Sequence, residues 1–245
     1  MTNSGESPTG YDDIYPNSPL SDVACEIRFV GEMQVECERH RFWDAIREDY
    51  PDILVPLPQP GQATALQHYR FRSKTGDRAV LVALNSLAYS EAQYSGHKQF
   101  LAEFLKLVAS FRRCYPKLGS VTRIGWRYIN LIPFTVEDDL LPLNRFLKFR
   151  ADLPLGLFDR TGKIDLQWSG LHGEATATVR LANVARKDSP GNEALLLDID
   201  FARENAKLSW DGIATVIEEL HGAGREAFEQ LITDGYRDYL RGNTL

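Results

Sequence analysis

Alternation of apolar and polar residues is clearest over Val121-Thr-Arg-Ile-Gly-Trp-Arg-Tyr-Ile-Asn-Leu-Ile-Pro-Phe134, the longest run rich in β-branched and aromatic residues. Such residues suit a pleated, half-buried surface, and Pro133 stops regular pairing near the far end. With a period of two, Thr122, Ile124, Trp126, Tyr128 and Ile132 share one side of this strand. Arg123, Gly125, Arg127, Ile129 and Leu131 share the other. One side can pack on a core while the other offers two arginines.

The same reading extends along the chain. Val23, Cys25, Ile27 and Phe29 alternate with Ala24, Glu26 and Arg28, which predicts a strand over Leu20–Val30. Glu36–Tyr50 reads as a helix, with Phe42, Ile46 and Tyr50 on one stripe, ended by Pro51. Pro56, Pro58 and Pro60 suggest a stiff extended crossing. A meander follows over Ala65–Ser73, Arg78–Leu84 and Leu87–Gln93, with turns at Thr75-Gly76-Asp77 and Asn85-Ser86. Ser95 is the expected N-cap of a helix carrying Phe100, Phe104, Val108, Phe111 and Tyr115 on one face.

After Val121–Phe134 the order repeats. Val136–Phe149 is a helical candidate, and Ile164–Ser169, Glu174–Val184 and Ala194–Arg203 are three strands. A last helical stretch begins at Ser209. The expected fold class is α+β: two β-α-β-β-β-α halves, 18–120 and 121–245, packed as one unit with long helices on one face of antiparallel sheet. The arrangement is saddle-like or helix-grip-like, similar to the TATA-binding-protein type, a likeness of topology that carries no implication about DNA. Residues 1–17, rich in Ser, Gly, Thr, Pro and acidic residues, are expected to form a mobile tail.

Composition narrows the class. The 245-residue chain is 43% hydrophobic and 25% charged, as expected of a globular protein able to bury a core. No apolar run reaches the ~18 residues of a membrane span, and the N-terminus lacks a signal-peptide pattern, so no membrane is expected. A formal charge of -6 argues against a wholly basic nucleic-acid-coating protein. Cys25, Cys37 and Cys114 have no Cys-x-x-Cys spacing, which points to reduced thiols and a cytoplasmic location, with Cys25 inert on the core side of its strand.

Tyr15-Pro-Asn-Ser-Pro-Leu-Ser-Asp-Val-Ala-Cys-Glu-Ile-Arg-Phe29 and Val121-Thr-Arg-Ile-Gly-Trp-Arg-Tyr-Ile-Asn130 resemble the opening and the central motif of a sporadically distributed bacterial family of uncharacterised proteins. Leu197-Asp-Ile-Asp200 and Leu220-His221 resemble later motifs, and Trp126 stands where the pattern usually has an aliphatic residue. The resemblance implies a shared fold and no activity. Patchy distribution suits a defence or conflict system.

Catalytic signatures are missing. His172-Gly173-Glu174 lacks the Pro-Cys-x-x-Cys partner of zinc deaminases and reads as a hairpin turn. Gly222-Ala223-Gly224-Arg225-Glu226-Ala227 resembles a dinucleotide fingerprint but follows a helical run, where it reads as a kink or break. Asp198 and Asp200 share a strand side and could bind Mg²⁺ or Mn²⁺ with His221 or His172 nearby. The weightier alternatives are cross-strand pairs to arginine for the aspartates and, for His221, a helix histidine bonded to a carbonyl. No cofactor, catalytic residue or metal ligand is assigned.

The strand sides opposite the core gather Glu26, Arg28, His68, Arg70, Arg72, Arg123, Arg127, Glu174, Thr176, Thr178, Arg180, Asp198 and Asp200. Arginine offers a planar fork for carboxylate, phosphate or base edges. The expected site is Arg28, Arg70, Arg72, Arg123, Arg127, Asp198 and Asp200. Arg123 and Arg127 would organise it through the aspartates, leaving Arg28, Arg70 and Arg72 for recognition. Three functions fit: a non-catalytic binding module with a protein partner, such as an adaptor or regulator in a bacterial multi-protein system; a nucleic-acid or phosphate-ligand binder; and, less well, a metal-dependent phosphodiester enzyme.

Overall fold

The computed structural model describes residues 14–55, 57, 67–134, 143–149, 163–185 and 193–244, with the backbone only at 205–207. Nine strands and six α-helices are present among them, and the strands form a single antiparallel sheet. The strands are β1 (Leu20–Phe29), β2 (Asp52–Leu54), β3 (Tyr69–Arg72), β4 (Arg78–Ala83), β5 (Ser86–Glu91), β6 (Val121–Phe134), β7 (Asp165–His172), β8 (Ala175–Ala185) and β9 (Glu193–Leu208). Their order across the sheet is β2-β3-β4-β5-β1-β6-β9-β8-β7, which puts β6 in the interior between β1 and β9.

The period of two in β6 has its expected consequence. Ile124, Trp126, Tyr128 and Ile132 are buried on the helix-covered side, where Trp126 packs against Phe100 and His221. Those two residues belong to the long helices α3 (His97–Cys114) and α5 (Ile213–Leu231), so both helices cover the same face. Val23, Cys25, Ile27 and Phe29 of β1 and Leu195, Leu197, Ile199 and Phe201 of β9 line it too. A register shift between Val121 and Arg123 lets Val121 also turn inward, against strict alternation.

Several boundaries differ from the sequence reading for local reasons. The helix expected over Glu36–Tyr50 is two short ones, α1 (Met33–Cys37) and α2 (Arg39–Ile46), broken at Glu38 with φ -118° and ψ 31°. The stripe of Phe42, Ile46 and Tyr50 is still buried. Strand β2 has no counterpart in the sequence reading, because it is only three residues long between Pro51 and Pro56. Gly96, not Ser95, is the N-cap of α3. The buried Glu91 carboxylate instead accepts bonds from the Ser95 N–H at 2.9 Å and its hydroxyl at 2.8 Å. Of the helical candidate Val136–Phe149, only α4 (Leu143–Phe146) lies among the described residues, and the proline crossing at Pro56, Pro58 and Pro60 lies outside them.

Helix α5 runs unbroken through Gly222 and Gly224. Gly224 is a point of close approach: a Cβ there would lie 3.1 Å from the Tyr128 ring. The His172-Gly173-Glu174 segment is the turn between β7 and β8, with Gly173 at φ 59°, a conformation that glycine adopts without steric cost. Near the N-terminus, Tyr15 bonds Glu229, and Asn17 bonds the Leu240 and Tyr239 carbonyls of α6 (Asp234–Leu240) at 3.1 and 2.8 Å. Residues 1–13 of the tail expected over residues 1–17 lie outside the described residues. All three cysteines are free, and burial pushes the Cys25 thiol well up. No described helix is long and apolar enough to cross a membrane.

Candidate functional site: the polar face of the sheet

The face opposite the helices is built by the residues that alternate with the core set. Antiparallel register aligns them in rows: Arg28 opposite Arg123 and Glu204, Glu26 opposite Gly125 and Ala202, and Ala24 opposite Arg127, Asp200 and Thr178. Asp198 lies between Ile129 and Arg180. Opposite charges therefore meet at Arg127 and Asp200, Arg123 and Glu204, and Asp198 and Arg180, close enough for cross-strand pairing, while Arg28 and Arg123 stand as like charges opposite each other.

Arg123 is the hub. Its Nη1 donates to Glu26 Oε2 at 2.7 Å, its Nη2 to Asp200 Oδ2 at 3.0 Å, and its Nε lies 3.5 Å from Glu204. The guanidinium lies back over Gly125, where a Cβ would fall 2.6 Å from Nη1. Glycine at 125 thus makes the seat for the group that neutralises two half-buried carboxylates. Arg127 grips Asp198 with both arms of its fork, at 2.7 and 2.6 Å. That pairing leaves Asp198 nearly inaccessible and holds the Arg127 guanidinium above its ordinary pKa. Burial pushes the Asp200 carboxyl up, against the pull of Arg123 and Arg127.

The structure divides the seven expected site residues. Arg123, Arg127, Asp198 and Asp200 come together as an internally paired network. Arg28 is not free, since it donates to Glu26 at 2.8 Å, and neither is Arg72, which donates to Asp52 at 3.2 Å. Arg70 is different: it is exposed and makes no hydrogen bond or ion pair among the described residues. His68 bonds Ser86 at 2.8 Å, and burial lowers its pKa. Arg180 pairs Asp165 at 2.8 and 2.7 Å.

The metal reading loses its ligands. Both Asp198 oxygens are taken by Arg127, and the two histidines lie on the other face of the sheet. His172 packs edge-on against Phe201, while His221 bonds the Tyr128 hydroxyl at 2.5 Å. His221 also stacks on His97, with ring centroids 3.7 Å apart.

One acidic residue was missed by sequence reading. Asp22 shares its strand side with Glu26 and Arg28, so the period of two places it on this face. What the sequence does not reveal is its isolation. Asp22 is half-buried and makes no hydrogen bond or ion pair within 4 Å among the described residues. Burial raises its pKa to about 6, while the charges of Arg70 and Arg127 pull it down. Between Asp22 on β1 and Arg70 on β3 this face carries Ala88 and Ser90 on β5 and Ala79 and Leu81 on β4. Of these, Ala79, Ala88 and Ser90 are buried.

This carboxyl costs stability, and the sign follows from the direction of its shift. The native state binds the Asp22 proton more tightly than the unfolded chain. Asp22 therefore favours the fold below about pH 4 and loses that contribution as pH rises through 6. Asp22→Asn should stabilise the protein by about 1–2 kcal/mol at pH 7.5, after allowing for solvent screening, and by almost nothing at pH 4. Melting temperatures of both proteins across that range check it; a gain independent of pH would rule out the buried charge as its origin.

Searches against protein-family models and against curated proteins return no match for this chain. What the fold and site define is a class: an α+β protein whose large antiparallel sheet is helix-covered on one face and carries a paired arginine–carboxylate network on the other.

Proposed function

We propose that the chain is a non-catalytic binding module whose contact surface is the Asp22–Arg70 end of the polar sheet face. The observation that carries this reading is the contrast in pairing. Arg123, Arg127, Arg28, Arg72 and Arg180 each bond a carboxylate, whereas among the described residues Arg70 bonds no carboxylate and Asp22 no cation. A carboxyl retained at a cost in stability is a frequent mark of a recognition site. The ligand that fits offers an anionic or acceptor group to Arg70 and a donor to Asp22. Arg123 and Arg127 act from behind, holding the sheet face in shape.

The strand order supports reading the fold as two halves in a saddle-like arrangement, β-α-β-β-β-α in the second and the same with the short β2 added in the first. In β5-β1 and β9-β6 the first strand of each half pairs with its last, and β1 and β6 adjoin at the centre. Together with the likeness of residues 15–29 and 121–130 to a sporadic bacterial family, this favours a cytoplasmic adaptor or regulator with a protein partner in a multi-protein system, of the kind found in defence or conflict. The exposed guanidinium of Arg70, unbonded among the described residues, also favours a second reading, a nucleic-acid or phosphate-bearing ligand.

A pull-down from the native host, with proteins and nucleic acids both identified, separates the two readings. Arg70→Ala should leave stability within about 0.5 kcal/mol of the parent and weaken capture by about 2–4 kcal/mol. Capture of nucleic acid that falls steeply with salt selects the second reading. Unchanged capture by Arg70→Ala places the contact surface elsewhere.

A further inference from the structure

The two edges of the sheet are unlike. At one end, β2 is three residues long and lies between Pro51 and Pro56, devices that discourage further strand pairing. At the other, β7 is eight residues long and exposed along its whole length. It contains no proline, lysine or arginine, and its pairing with β8 has no bulge. Its one acidic residue, Asp165, is held by both arms of Arg180, so Leu166–Leu171 presents an uncharged edge in a chain of net charge -6.

The direction of its backbone groups can be read from its start. The Asn183 N–H donates to the Ile164 carbonyl at 3.1 Å, so the main chain of Ile164 faces β8. By antiparallel alternation, Gln167, Ser169 and Leu171 turn their N–H and C=O groups to the open edge. On the helix-covered side of the strand, Trp168 stacks on Phe149 with centroids 5.7 Å apart, and two residues on, Gly170 leaves open space where a side chain would stand. Leu171, on the opposite side, is 84% exposed.

We infer that β7 is a self-association edge at which a second copy of this chain pairs antiparallel about a two-fold axis through Ser169, joining the two sheets into one. Such an axis, perpendicular to the sheet, keeps each side chain on its own face. It sets Ser169 opposite Ser169 of the other copy and Gln167 opposite Leu171, with about six new backbone hydrogen bonds. It also sets Trp168 of each copy across from the open space at Gly170 of the other, so that an exposed aromatic ring covers an exposed glycine. The strand is thus complementary to itself in backbone and shape, and its uncharged edge sets no like charges against each other, which is why the occupant is a second copy rather than an unrelated strand.

The experiment is sedimentation equilibrium on the full chain at about 10–100 μM, within the range of weak homodimers. The parent should approach twice its 27.7 kDa mass. Gln167→Lys with Leu171→Lys sets lysines opposite each other across the seam and should raise the dissociation constant at least about tenfold. Gln167→Glu with Leu171→Lys sets opposite charges there and should restore the dimer, a rescue that no other register provides. Ile53→Lys, on the far edge, should change nothing. A parent that stays monomeric overturns the inference, including one that recruits a strand from a different protein. So does a dimer that survives the double lysine variant while circular dichroism shows it folded.

Discussion

Trp126→Ala is expected to destabilise the protein by about 3–5 kcal/mol, the range of large aromatic truncations in a packed core. Trp126 is 1% exposed and meets Phe100, His97, Tyr128 and His221 at centroid distances between 4.9 and 5.7 Å. It is the side chain on which β6, α3 and α5 converge, so its removal opens a void that no single element can collapse to fill. The indole N–H has no hydrogen-bond partner, so nothing polar is lost with it and the cost is one of packing. Trp126→Phe should therefore recover most of the loss. Denaturant unfolding at constant m-value measures both; a cost under about 1 kcal/mol for the alanine variant would falsify the assignment of this residue to the shared core.

Arg123→Ala is expected to cost about 2–4 kcal/mol, by a different route. The guanidinium is 15% exposed and neutralises Glu26 and Asp200, both held away from full hydration. Deleting it leaves Asp200 without its bonded guanidinium and Glu26 with Arg28 alone, and stranding a buried charge costs more than the pair itself contributes. Arg123→Met with Asp200→Asn removes charge from both sides and should recover a measurable part of the loss. Gly125→Ala should mimic the single variant in part, because the added methyl occupies the seat of the guanidinium. The companion expectation is that Arg70→Ala leaves stability almost unchanged. If Arg123→Ala and Arg70→Ala prove equally harmless, the paired network contributes little to folding.

The period-two and helical stripes were sufficient for most of the architecture. Side-chain alternation is a local property of a strand, so the inward set on β1, β6 and β9 and the apolar faces of α3 and α5 follow from the chain itself. The same rule placed Arg123, Arg127, Asp198 and Asp200 together on one face. Elements without a periodic signature escaped it. Strand β2 is too short to alternate, and the break at Glu38 rests on backbone angles that the buried stripe of α2 conceals.

Which arginine pairs with which carboxylate was decided only by the tertiary structure, because register and side-chain reach are set between strands distant in sequence. Arg28 and Arg72 are as exposed in pattern as Arg70, yet Glu26 and Asp52 happen to stand within their reach. Arg70 faces Leu81 and Leu54 across its two neighbouring strands and finds no carboxylate there. Asp22 is its counterpart, isolated because Arg127 is committed to Asp198. The sequence by itself determined the faces, since alternation is local; the fold determined who is left unpaired on them, since pairing depends on neighbours that only packing brings together.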